Sequence, residues 1–224
     1  MKTKHKTIGI LGGMGPEGTA ELYLRIIRLF QKKFGAVLDS DFPEIVIFNV
    51  PIPDVVEDPR NMQRIKAMLI ENSKKLEEAG ADFIVIPCNT VTKFIELIRQ
   101  NVSIPVVGIV EETISELIKN GINKIGLIAT EMTIENKYFK DDFVKFILPT
   151  IEETSIITKV ILNILSGKKF EEDLKRIKKI SSNLKKFGCE KIILGCTDLP
   201  LLISGEDFID TLDVIAKVTV DRCI

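Results

Sequence analysis

Two periods alternate along this chain. Short runs of β-branched and apolar residues are followed by longer stretches in which apolar residues return every three or four positions. The short runs predict strands near 7–11, 44–50, 82–87, 105–109, 124–129 and 190–195. Pro16 to Phe34 opens with proline at a first helical position and carries Leu22, Ile26, Ile27, Leu29 and Phe30 at helical spacing, so it predicts an amphipathic helix. A second helix opens at Asp58-Pro59, turns Met62, Ile65, Met68, Leu69 and Leu76 inward, and ends at Gly80. The lysine-rich stretch 170–187 reads as a solvated helix face rather than a binding patch. Strands alternating with helices imply an α/β fold with parallel sheets.

The pattern also repeats. "TIGILGGMGPEGT" (7–19) opens one half of the chain and "KIGLIATEMTIEN" (124–136) opens another with a similar strand and polar turn. Each half closes on a strand that ends in cysteine: "GADFIVIPCN" (80–89) and "GCEKIILGCT" (188–197) align from their glycines and put Cys88 and Cys196 in one frame. Two pseudo-symmetric lobes are therefore expected, each a parallel-type sheet flanked by helices, with an active-site cleft between them. The first would hold residues 1–104 plus 205–224 and Cys88; the second, residues 105–204 and Cys196. Ligands of open α/β sheets bind at the strand carboxyl ends.

Composition narrows the chemistry. The chain has 224 residues, 45% of them hydrophobic, enough to bury a sizeable core. Its 31 basic and 32 acidic residues are interspersed, so no footprint for nucleic acid or an anionic membrane stands out. The apolar run after "MKTKHK" is too short for a signal sequence, and no stretch approaches membrane-spanning length; a cytoplasmic protein is expected. There the four cysteines need not pair. The single histidine, His5, lies in the N-terminal tail, and no Cys/His cluster has zinc spacing, which argues against a Cys-His dyad and a metal site.

"GMGPEG" (13–18) satisfies the glycine pattern of dinucleotide sites, but Pro16 removes an N–H from the turn and "FNVP" supplies no acidic residue for a ribose. The better reading is a tight turn whose backbone N–H groups and helix N-terminus hold a carboxylate. Cys189 and Cys223 read as unremarkable: the first matches Ala81 in the repeat and behaves as a small core residue, and the second has no motif around it. Cys88 and Cys196 each run straight into cap-like residues, Asn89-Thr90 and Thr197-Asp198, ahead of an apolar helical stretch. A helix N-terminus behind each sulfur would favour its thiolate. Two thiols facing one ligand suit removal of a proton from one face of a carbon and its return to the other, with no histidine required.

"GILGGMGPEGTAELY", "PCNT" and "GCTDLPLL" closely resemble the three signatures of the cofactor-independent aspartate/glutamate racemases, nearest the aspartate racemase branch, in order and spacing. The resemblance covers essentially the whole chain. It implies an amino-acid substrate, no pyridoxal phosphate or other cofactor, no metal, and a homodimer. By motif, Cys88 and Cys196 are the acid/base pair, and Asn89, Thr90 and Thr197 hold substrate carboxylate or amine groups. Val91, Thr130, Thr133, Met14 and Val55 complete the expected lining. The chain departs from the branch where Val91-Thr92 follows "PCNT" in place of x-His, where Val55 stands for an expected arginine clamp, and where Leu165 stands for an expected lysine, with Lys168 and Lys169 close by. A less acidic substrate than aspartate is therefore expected. The other readings are a catalytically silent amino-acid-binding module, a hydantoin racemase or decarboxylase of the same fold, and a thiol-disulfide oxidoreductase, which would more usually carry C-x-x-C.

Overall fold

The computed structural model describes residues 5–53 and 61–224. Its strands form two four-stranded sheets of parallel pairs. The first contains β1 (Ile8–Gly12), β2 (Ile45–Asn49), β3 (Phe83–Val85) and β4 (Val106–Val107), in the order β2-β1-β3-β4. The second contains β5 (Lys124–Ile128), β6 (Lys145–Ile147), β7 (Ile192–Leu194) and β8 (Phe208–Asp210), in the order β6-β5-β7-β8. The order is the same in both, which is the structural form of the repeat. The central strands β1, β3 and β7 are buried at every position, as expected where helices cover both faces of a sheet. Strands β6 and β8 escape the sequence pattern because each has only three residues, none fully buried.

The helices follow from periodicity and punctuation. Helix α1 (Pro16–Phe34) buries Leu22, Ile26 and Phe30 four residues apart and ends at Gly35 in the left-handed conformation, whose N–H donates to the Gln31 carbonyl. Helix α2 (Met62–Glu78) buries Ile65, Leu69, Ser73 and Leu76; the Ser73 hydroxyl donates to the Leu69 carbonyl at 2.7 Å, so its burial leaves no orphan. Asp58-Pro59, the expected opening of this helix, lies outside the described residues. Short α3 (Ile95–Arg99) and α5 (Glu131–Glu135) follow β3 and β5, and α4 (Ile109–Lys119) follows β4. Helix α6 (Ile151–Leu165) starts with a reciprocal Thr150–Glu153 capping box. In α7 (Glu171–Lys185), acids open and Lys185 ends the helix, matching its dipole, while Ile177, Ile180 and Leu184 are buried. The segment is thus amphipathic, solvated on one face only. Helix α8 (Thr211–Cys223) closes the chain.

Two matched glycines let helix and sheet approach closely. A Cβ on Gly9 of β1 would lie 2.9 Å from Ala81 Cβ, and one on Gly126 of β5 would lie 3.2 Å from Ile192 Cγ1 and 3.3 Å from Leu184 Cβ. The helices α2 and α7 fill that space with Leu76 and Leu184, each within a separate hydrophobic cluster.

The chain divides into two compact units, Met1–Ile109 with Ile215–Ile224, and Val110–Val214. Because β8 pairs with β7, the chain stays with the second unit through Val214. The rest of α8 belongs to the first unit, where the Lys6 N–H donates to the Cys223 carbonyl at 2.9 Å and the Cys223 thiol donates to the Lys6 carbonyl at 3.1 Å. Helix α4, which leaves the first sheet, belongs beyond Ile109 to the second unit. Each sheet thus gives its last helix to the other unit. Among the described residues, no helix is long and apolar enough to cross a membrane.

Candidate active site: two matched cysteine turns

In each sheet the chain reverses its direction of travel between two adjacent central strands, β1 and β3 in the first and β5 and β7 in the second. The loops at the carboxyl ends of such a pair diverge and leave a crevice, the usual ligand position of an open α/β sheet. Four of the predicted site segments lie there: the glycine turn after β1, the Cys88 turn after β3, the Thr130 turn after β5 and the Cys196 turn after β7.

After β3, Ile86 and Pro87 lead to Cys88, whose N–H donates to the Ile86 carbonyl at 2.9 Å and whose side chain is half-buried. Asn89, 2% exposed, holds the N-cap position of a 3-10 turn, Thr90–Phe94, that passes directly into α3. Thr90 and Thr92 are half-buried, whereas Val91 packs into the core at 1% exposure. Lys93 lies over the Phe94 ring at 4.9 Å, and burial holds its ammonium below the usual lysine value.

After β7, Gly195 lets the chain pass close to β5. Its N–H donates to the Ile128 carbonyl at 2.7 Å, and a Cβ there would lie 2.8 Å from Leu127 Cδ1 and 3.0 Å from Ala129 Cβ. Cys196 follows, half-buried, and its thiol donates to Asp198 Oδ2 at 3.6 Å. Thr197 and Asp198 are 2% and 4% exposed. Asp198 opens a 3-10 turn, Leu199–Leu201. This carboxylate is the site residue that sequence reasoning missed. The available signal was an acid two positions after the cysteine on a tight turn.

The helical stretch expected behind each thiol is short in both turns. Three residues of 3-10 helix follow Cys196 and Asn89 leads into five more, followed by a five-residue α-helix, so neither sulfur has a long macrodipole at its back. At Cys196 the local electrostatics come instead from a side-chain carboxylate.

The remaining predicted residues divide into structural and surface positions. Thr130 caps α5: its Oγ1 accepts the Thr133 N–H at 3.3 Å and lies 3.0 Å from Thr133 Oγ1, with Thr133 fully buried. Met14 is half-buried against the cluster that contains Leu11 and Val50. In its turn the Gly13 N–H donates to Thr19 Oγ1 at 2.9 Å, and the Thr19 hydroxyl donates to the Gly15 carbonyl at 3.0 Å. That one N–H is therefore committed within the turn. Leu165, Lys168 and Lys169 are exposed, and Val55 lies outside the described residues.

The other thiols are set apart by burial. Cys189 is 4% exposed and donates to the Leu184 carbonyl at 3.0 Å, as a core residue would. Cys223 is fully buried, and burial pushes its pKa up to about 11. His5 packs edge-on against Phe30 at 5.2 Å. Among the described residues, no group of three or more His, Cys, Asp or Glu could hold a metal ion.

Comparison with known proteins bears on family and fold. The chain is 39% identical over 133 residues to the broad specificity amino-acid racemase RacX of Bacillus subtilis, a match that takes in 59% of this chain and 58% of that protein. The aligned part thus falls short of two thirds of the relative's length. The fold is shared with an aspartate racemase homologue from Pyrococcus horikoshii at a TM-score of 0.82 and 27% identity, covering 96% of this chain and 98% of the other. It is also shared with the Picrophilus torridus aspartate racemase at a TM-score of 0.78 and 22% identity, covering 96% and 93%. The family model described as Asp/Glu/Hydantoin racemase matches residues 11–219, nearly the whole chain, and on that match the chain belongs to this racemase family.

Proposed function

We propose that the protein is a cofactor-independent amino-acid racemase in which Cys88 and Cys196 work as opposite-face acid and base. The observation that carries the reading is that two half-buried thiols follow equivalent strands of two sheets with the same strand order, at the carboxyl-end crevice of each. Membership of the racemase family and the similarity to RacX support it.

The reaction balances as follows. One cysteine, as thiolate, takes the α-proton, the Cα–H bond breaks, and the electron pair moves toward the substrate carboxylate. The other cysteine, as thiol, donates its proton to the opposite face of the α-carbon. Product leaves with the two thiols in exchanged protonation states, which proton exchange with solvent then resets. Chemistry of this kind requires both sulfurs to address one α-carbon. Asp198 accepts the Cys196 S–H bond and holds that proton in a fixed direction, while Asn89, Thr90 and Thr197 supply polar groups beside the thiols for carboxylate and amine. Met14, Val91, Thr130, Thr133 and Val55 are assigned to the surrounding lining, with Val91, Thr130 and Thr133 acting through packing and capping.

The test is incubation with single enantiomers of a panel of amino acids in D₂O, without added cofactor, followed by NMR and chiral chromatography. Deuterium at the α-carbon of the inverted product is expected. Exchange and inversion both absent across the panel would refute the reading.

A further inference from the structure

We infer that the outward face of α1 is the surface on which two copies of this chain pair, with their α1 helices antiparallel about a two-fold axis. It stands independently of the racemase reading. Position on the helix separates apolar from charged residues. Ala20, Leu24, Ile27, Gln31 and Phe34 are spaced alternately by four and three, which puts them on one stripe, with Tyr23 beside it. Tyr23, Leu24 and Phe34 are 39%, 42% and 45% exposed; Ala20 and Gln31 are exposed and Ile27 is half-buried. Glu17, Glu21, Arg25, Arg28 and Lys32 fall together on one flank of the stripe, and Lys33, on the other, pairs with Asp221 of α8. The apolar surface continues along the chain in Val37 and Leu38, 81% and 65% exposed. Their N–H groups both donate to Asp41 Oδ2, at 2.9 and 2.8 Å, so the backbone is fastened while the side chains stand in water. Scattered apolar residues are ordinary on a surface; a stripe of them along one helix marks an interaction site.

The charged flank identifies the occupant. Glu21 and Arg28 lie one heptad apart, and antiparallel pairing about an axis between Arg25 and Ile26 brings the Glu21 of each copy beside the partner subunit's Arg28, on the same side of the seam. In that register Leu24 meets the partner's Ile27, and Ala20 meets the partner's Gln31. Parallel pairing would instead bring each charge level with its own copy. Within one chain Glu21 Oε1 accepts from Arg25 Nε at 3.0 Å and from Arg28 Nη1 at 3.1 Å, and the Arg28 side chain is still 61% exposed. A guanidinium has five N–H donors, so Arg28 can keep this bond and take a second carboxylate. An anionic membrane suits the face less well, because Glu17 and Glu21 border it.

Sedimentation of the full chain across the micromolar range is the test, on wild type, Leu24→Glu, Glu21→Arg, Arg28→Glu and the doubly reversed Glu21→Arg/Arg28→Glu, with helical content followed by circular dichroism. Wild type is expected to sediment as a dimer and Leu24→Glu as a folded monomer. Each single reversal should raise the dimer dissociation constant by about tenfold or more, and the double reversal should bring it back toward the wild-type value. A wild type that stays monomeric throughout the range, or a dimer that Leu24→Glu and the single reversals leave intact, would overturn the inference. Should Leu24→Glu lose its fold, the charge reversals decide: equal weakening by the single and double reversals would overturn it.

Discussion

Cys88 and Cys196 leave equivalent strands, in sheets of identical order, and enter 3-10 turns whose N-cap residues, Asn89 and Asp198, are buried and polar. Beyond that the two turns diverge. Beside Cys196 stands the carboxylate of Asp198, 4% exposed and accepting the thiol proton at 3.6 Å. Beside Cys88 stand the core side chains Ile86 and Val91, 3% and 1% exposed. The comparison teaches that the repeat supplied matched backbone positions while side chains made the surroundings of the two thiols unlike: one has a carboxyl acceptor beside it and the other has aliphatic core neighbours. In the proposed reaction both still act in every turnover.

The largest effect is expected at the thiols. Cys88→Ala and Cys196→Ala should each lower racemisation by roughly 10³-fold or more, because each leaves one face of the α-carbon without its acid or base. Chiral chromatography of the product checks this. Cys189→Ala, whose sulfur lies in the core, is the control and should keep its rate.

Next in size is the feature that distinguishes the second turn. Asp198→Asn removes the carboxyl group but keeps the shape, and a loss of about ten- to a hundredfold in kcat/KM is expected. The loss must be equal in the two directions, since enantiomers have equal free energy. An unchanged rate would show that the carboxylate plays no part in proton transfer.

The packing of the two units can be compared in the same way. An alanine at Gly9 would press its methyl on Ala81 Cβ at 2.9 Å and on the Phe83 carbonyl at 3.2 Å, neither of which can rotate away. At Gly126 the contacts are longer: Ile192 Cγ1 at 3.2 Å and Leu184 Cδ1 at 3.3 Å can adjust by rotation, and the fixed Leu184 Cβ stands at 3.3 Å. Gly9→Ala should therefore destabilise by about 1 to 3 kcal/mol and Gly126→Ala by less, measured by urea unfolding. The reverse order would mean that the second unit is the more tightly packed there.

A smaller effect comes from the returning helix. In the unfolded chain the Cys223 thiol ionises near its ordinary 9.0, whereas in the folded protein burial raises this to about 11. The folded state holds the proton through that window, so this contribution to stability is intact below pH 9 and is lost as pH rises from about 9 to about 11. Unfolding midpoints across that range should fall less steeply in Cys223→Ala than in wild type.

Much of the fold could be read from local pattern. The buried strands around Gly9, Ile84, Gly126 and Ile193 and the whole of α1 carry clear local pattern, and the left-handed Gly80 follows the end of α2 where the sequence put it. What stayed hidden depends on distance along the chain. Strands β6 and β8 take their identity from pairing with β5 and β7, not from three residues of their own. The exchange of α4 and α8 between units is decided by packing partners far away in sequence. In the site, the two cysteines were legible because the repeat frames them. The contact between Asp198 and Cys196 was not, because it depends on the direction of a buried carboxyl group.

The central claim is that the two thiols serve opposite faces of one α-carbon, and isotope exchange in the two alanine variants tests it most directly. Each variant is incubated in D₂O with the separate enantiomers of the best substrate, and α-deuterium uptake is followed with and without inversion. The account predicts that Cys88→Ala exchanges the α-proton of one enantiomer only, that Cys196→Ala exchanges that of the other only, and that neither inverts its substrate. Exchange of the same enantiomer by both variants, or inversion by either at the wild-type rate, would contradict it.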